Sequence, residues 1–168
     1  MRRLGLPIPE DRLSLANFLR RWLVDTAKPT LRPRTFRPYE ELVRLHLAPS
    51  LGRTSLSKLK PADVQGLLNS KLESGLSPRR VQYIHAVLRC ALGQAEKWGL
   101  VPRNVAKLVD VPRVRRVEID PYSPLEARAF VEAIKGDRLE ALFYLALAVR
   151  MRQREALGLS WSDVDLKG

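Results

Sequence analysis

The sequence has little cysteine, few aromatic residues and no long apolar run. Cys90 is the single cysteine in 168 residues, which excludes an internal disulfide and any cysteine-rich zinc centre. Its place within a helical pattern predicts a buried, inert thiol. Aromatic residues make up 7% of the chain, and Leu, Val and Ala supply most of the 45% that is hydrophobic. That balance suits helices and is enough for a core, so wholesale disorder is excluded. The longest apolar run, Ala141 to Val149, is too short to span a bilayer. Arg2 and Arg3 open the chain, but no apolar signal segment follows them. These absences predict a cytoplasmic protein with no metal, no cofactor and no membrane partner.

What is present is positive charge. The net charge is +12 and the sequence pI is about 10.5. Residues 1–116 carry 23 Lys and Arg against 9 Asp and Glu, whereas residues 117–168 carry 7 against 9. All the excess therefore lies in the first part, mostly as arginine, whose planar fork suits phosphates and guanine edges. A basic module joined to a nearly neutral one points to double-stranded DNA as the partner.

Punctuation by Ser, Pro and Gly divides the chain into helices. Ser14 caps a helix to about Ala27, and Pro29 is expected to close it. Thr35 is expected to cap a second helix to Leu47, with Pro38 in its first turn and Pro49 and Gly52 ending it. A third starts at Pro61 and stops at Gly75. The fourth has Ser77 as cap, Pro78 in the first position and Gly99 after its end. Its apolar positions from Val81 to Trp98 face inward, opposite Arg79, Gln82, Tyr83, Ala86 and Arg89. Four amphipathic helices with short turns make a compact helical domain.

From Val111 to Tyr122 the helical period disappears, and Pro112, Pro121, Arg113, Arg115 and Arg116 mark a basic linker. Beyond it, Ser123 and Glu126 form a capping box that opens a helix to about Ile134. A nearly all-apolar helix, Arg138 to Val149, is expected to be buried with Tyr144 in a core. A short helical piece covers about Glu155 to Leu159, and the last residues lead towards a strand. The expected domains are an N-terminal tail (1–11), a DNA-binding domain (12–111), a linker (112–122) and a second, less stable part (123–168).

Two sets of residues resemble the tyrosine recombinase (phage integrase) family. The first is an ordered series: Leu31-Arg-Pro-Arg-Thr35, Tyr39, Leu47-Ala-Pro-Ser-Leu-Gly52, Leu59-Lys-Pro-Ala-Asp63 and Asn104-Val-Ala. These are similar to the family's core-binding domain, a four-helix SAM-like module. The second is Leu145 to Asp165, with Arg152, Glu155, Trp161, Asp163 and Asp165. It resembles the box that holds the family's first catalytic arginine. The resemblance implies an all-α fold: a SAM-like core-binding domain, a linker, and the first helices of a catalytic domain cut short. It implies that Arg152 is the catalytic arginine and Glu155 its support. Two positions depart from the pattern: Arg150 replaces a glycine of the turn, and Arg154 replaces a small residue.

The chemistry needs such an arginine. Cleaving a phosphodiester spreads negative charge over non-bridging oxygens, and a fixed guanidinium donates two bonds to them. By position, Arg32, Arg34, Thr35 and Arg37 are expected to meet phosphates. Arg79, Arg80, Gln82, Tyr83 and Arg89 would enter or border the major groove, and Arg113, Arg115 and Arg116 would follow the backbone.

The family's remaining catalytic groups, including the tyrosine nucleophile, lie downstream of the arginine box. His46, His85, Tyr39, Tyr83, Tyr122 and Tyr144 all precede it. The expectation is a DNA-binding recombinase fragment that cannot by itself form a phosphotyrosyl bond. The alternative is a non-catalytic regulator that occupies recombination sites or inhibits a full-length integrase protomer.

Overall fold

Ser14 opens the first helix as the spacing predicts: its extended backbone and side-chain oxygen cap the N–H of Asn17. In the structure, a computed structural model, residues 13–114, 120–149 and 151–163 are described. Arg115, Arg116, Arg150, Asp165 and the expected tail 1–11 lie outside them, as does the side chain of Trp161. Among the described residues every regular element is helical, with one isolated bridge between Ser14 and Ser55.

Helix α1 (Leu15–Trp22) does not end where Pro29 predicts. It continues through a wide π turn (Leu23–Ala27) into Lys28–Thr30. Helix α2 (Pro33–Leu42) behaves alike, running through a π turn (Val43–Leu47) into Ala48–Leu51, so Pro49 does not end it either. In each case the proline follows the π turn by two residues. The wide turn closes with Lys28 N–H on the Leu23 carbonyl and Ala48 N–H on the Val43 carbonyl. Shifting the ladder by one residue relieves the clash between a proline ring and the carbonyl four residues back. The start of α2 is also corrected. Arg32, not Thr35, is the N-cap and Pro33 takes the first position, so Pro38 falls in the second turn.

Helix α3 (Pro61–Glu73) and helix α4 (Pro78–Lys97) match expectation more closely. Ser77 accepts from the Arg80 N–H at 3.3 Å, and Gly75 (φ +86°) and Gly99 (φ +73°) stop the two helices in the left-handed region. Phe18 and Trp22 from α1, Leu47 from α2, Val64 from α3, and Ile84 and Leu88 from α4 meet in one core. Two inward assignments fail. Trp98, one residue past α4, is 40% exposed, its ring edge against Phe18 and the Arg21 guanidinium over it. Cys90 is exposed rather than buried.

The chain divides into two units, Met1–Arg115 and Arg116–Gly168. In the second, Ser123 and Glu126 form the capping box that opens helix α5 (Pro124–Ala133). Helices α6 (Glu140–Val149) and α7 (Gln153–Leu157) follow. Phe130 lies between Tyr122 and Phe143 at ring separations of 6.0 and 5.7 Å. Yet none of the described residues of these helices is fully buried. Helix α6 is thus not the buried helix its composition predicts, and Tyr144 is 57% exposed. Two short helices with an aromatic contact between them cannot enclose a side chain on all sides.

Candidate nucleic-acid interface

Helix α4 is 20 residues long, and its apolar stripe is turned into the core. The same periodicity therefore carries Arg79, Tyr83, Ala86 and Arg89 to the outside in one row. The Arg79 guanidinium lies over the Tyr83 ring, 5.3 Å from its centroid, and Tyr83 is 51% exposed. This contact restrains a long cation while leaving its donors accessible. Arg32, Arg34, Thr35 and Arg37, at the start of α2, are all exposed.

Other expected binding residues are engaged within the first unit. Arg80 Nη2 donates to Glu41 Oε1 at 2.6 Å, linking α4 to α2. Gln82 Nε2 donates to the Pro112 carbonyl at 2.9 Å. Gln65 supports the same exit segment, donating to the Asp110 carbonyl and accepting its N–H at 2.8 Å. These two glutamines fix the chain that presents Arg113, which is exposed. Arg115 and Arg116 lie outside the described residues.

Several residues that position this surface do so through partners distant in the sequence. Asn104 is 2% exposed; its side chain donates to the Arg89 carbonyl at 2.8 Å and accepts the Ala106 N–H at 3.1 Å. His85, also buried, bonds the Ala106 carbonyl at 2.7 Å and so has a structural partner. Glu41 is the residue that spacing missed, because its partner lies 39 positions away on another helix. His46 is half-buried, and burial followed by the charges of Lys71 and Arg80 lowers its pKa, with Glu41 opposing. Beside α4 runs a groove of about 430 Å³ with Trp22, Tyr39, Arg89, Cys90 and Lys97 among its lining. Trp22 and Tyr39 stack there at 6.2 Å, and burial, then the Cys90 thiol, raises the Tyr39 pKa.

In the second unit Arg152 is the N-cap of α7. Its backbone N–H donates to Glu155 Oε2 at 2.8 Å, and its guanidinium lies 3.5 Å from Glu155 Oε1. One carboxylate therefore holds both the helix start and the arginine. The Arg152 side chain is 88% exposed, so it faces open space. Asp163 caps the next turn, accepting from the Ser160 N–H and hydroxyl, which lowers its pKa. Among the described residues there is no cluster of His, Cys, Asp or Glu arranged to hold a metal. No helix there is long and apolar enough to cross a membrane.

Comparison with known proteins gives this geometry a family. Residues 14–72 match the phage integrase, N-terminal SAM-like domain. An integrase of Saccharopolyspora erythraea is 31% identical over 150 residues, covering 88% of this chain and 34% of the relative. The chain thus spans about a third of that relative, and 44% of a similar XerC-like tyrosine recombinase. The solved phage integrase SAM-like domain from Moorella thermoacetica is 48% identical, covering 64% of this chain and 92% of that one, with a TM-score of 0.55. A lambda integrase dimer bound to a COC' core site shares the fold at 17% identity, over 93% of this chain and 44% of that one, with a TM-score of 0.77. With an all-helical unit that matches the integrase SAM-like domain and integrase relatives along its length, the chain belongs to the tyrosine recombinase (phage integrase) family.

Proposed function

We propose that the first unit is a core-binding domain that grips duplex DNA, and that the second contributes a transition-state arginine to DNA breaking and rejoining. The observation that carries this reading is the exposed row Arg79, Tyr83 and Arg89 on α4, in a unit that also presents the cations of α2. Arg32, Arg34, Thr35 and Arg37 meet phosphates, as does Arg113 with Arg115 and Arg116 beyond it. Arg79 and Tyr83 approach base edges, whereas Arg80 and Gln82 reach DNA only by leaving their partners. Arg152 would donate to the non-bridging oxygens of the scissile phosphate, oriented by Glu155.

In a second reading grip and cutting are separate: the polypeptide occupies recombination sites, or inhibits a full-length integrase, without reacting. A salt titration of duplex binding tests the grip. Several phosphate contacts give a steep linear fall of log affinity with log salt, about 0.9 per contact. Arg34→Ala lowers affinity and reduces that slope by about one. A flat salt response sinks the reading. Incubation with nicked core-type DNA is expected to give no covalent protein–DNA adduct; formation of one would overturn the separation of grip from cutting.

A further inference from the structure

The crossing of α2 and α4 places one carboxylate among cations. Glu41 lines a shallow depression with Pro33, Arg34, Arg37 and Pro38, and it accepts from Arg80 at 2.6 Å. Both members of that pair are substantially exposed, at 46% and 39%. The charges of Lys71, Arg80 and Glu41 all act on His46, in the π turn of α2. A carboxylate held by arginine here has the charge and bonding pattern of a backbone phosphate. It spends the Arg80 donors on an internal partner.

We propose that the α2–α4 crossing is a seat for a DNA backbone phosphate, occupied in the free protein by Glu41, which acts as an internal counter-ion to Arg80. The inference rests on the DNA-binding reading and adds a residue that tunes it. Binding moves Arg80 from carboxylate to phosphate, and the repulsion between Glu41 and that phosphate lowers affinity for any duplex. Because the pair is exposed, the exchange is easy and the effect is bounded. An exposed ion pair corresponds to at most about a five-fold change in affinity.

The test uses the 168-residue chain and a labelled duplex of mixed sequence, with affinity measured across a salt series. Glu41→Gln is expected to tighten binding by up to about five-fold at low salt and by less as salt rises, because the ion pair it removes is itself screened by salt. Glu40→Gln removes the same charge from the adjacent exposed position, for which no ion pair exists among the described residues, and is expected to change affinity less. In an Arg80→Ala background, Glu41→Gln is expected to lose most of its effect, because the two residues act as a unit. Circular dichroism melts of each variant confirm that the helices are intact. An equal gain with and without Arg80 means simple charge removal and overturns the inference, as does weaker binding by Glu41→Gln. If wild type binds in a salt-dependent way and Glu41→Gln binds no more tightly, this inference alone falls. If neither binds, the DNA-binding reading falls with it.

Discussion

A buried amide and a half-buried imidazole set how the first unit responds to change. Asn104 satisfies the Arg89 carbonyl and the Ala106 N–H in a site almost closed to water. Asn104→Ala would leave both groups without their partner, at a cost of about 2 kcal/mol in urea denaturation. An unchanged midpoint would show that water takes over both bonds. His46 acts through pH. Burial lowers its folded-state pKa, so the unfolded chain takes up the proton first as pH falls below the ordinary value of about 6.5. Stability is therefore full above that value and is lost through the window down to the folded-state pKa. His46→Gln is expected to flatten the melting temperature against pH in that window, while wild type declines. Parallel curves for the two proteins would exclude His46 as the cause.

The helices owe their limits to caps and their persistence to packing. Ser14, Ser77 and Ser123 start α1, α4 and α5 through the same bond, side-chain oxygen to the N–H three residues on. Ser77→Ala should destabilise the first unit by about 1 kcal/mol, read as a shift in the urea midpoint. A loss below a few tenths would mean that Pro78 and the core hold the start of α4 without the cap. The prolines gave the opposite lesson. Pro29 and Pro49 read as breakers, yet α1 and α2 run through them because a π turn precedes each. The buried residues Leu23, Ala27, Val43 and Leu47 lie within those turns, and keeping them in the core outweighs the distortion.

At the scale of the whole molecule the two units differ in what they bury. The first has a continuous core from Leu15 to Ala106. The second has no fully buried residue in its described helices, and α6 leaves Tyr144 and Val149 exposed at 57% and 61%. Burial of apolar side chains is the main source of stability, so the second unit is the one expected to open first. Limited proteolysis should cut after Arg115 or within 116–168 before it cuts 13–114, leaving a resistant fragment that mass spectrometry identifies. Early cleavage in α1 to α4 would contradict this ranking.

Much of the fold was legible in the residues because its signals are local. Apolar spacing placed the four helices of the first unit, serine caps fixed three starts, and glycines stopped α3 and α4. The Arg152 box and the concentration of charge before residue 117 are likewise properties of neighbouring residues. What only the tertiary structure decided is what each side chain meets. Cys90 and Trp98 fit a helical period and are nonetheless exposed, and Glu41 holds Arg80 from 39 positions away. Gln82 and Asn104, polar on any reading, serve to tie the exit segment to α4, at Pro112 and at the Arg89 carbonyl in mid-helix. Periodicity fixes which face of a helix a residue occupies, but not which helix crosses that face. That depends on how the apolar stripes of all the helices pack together at once.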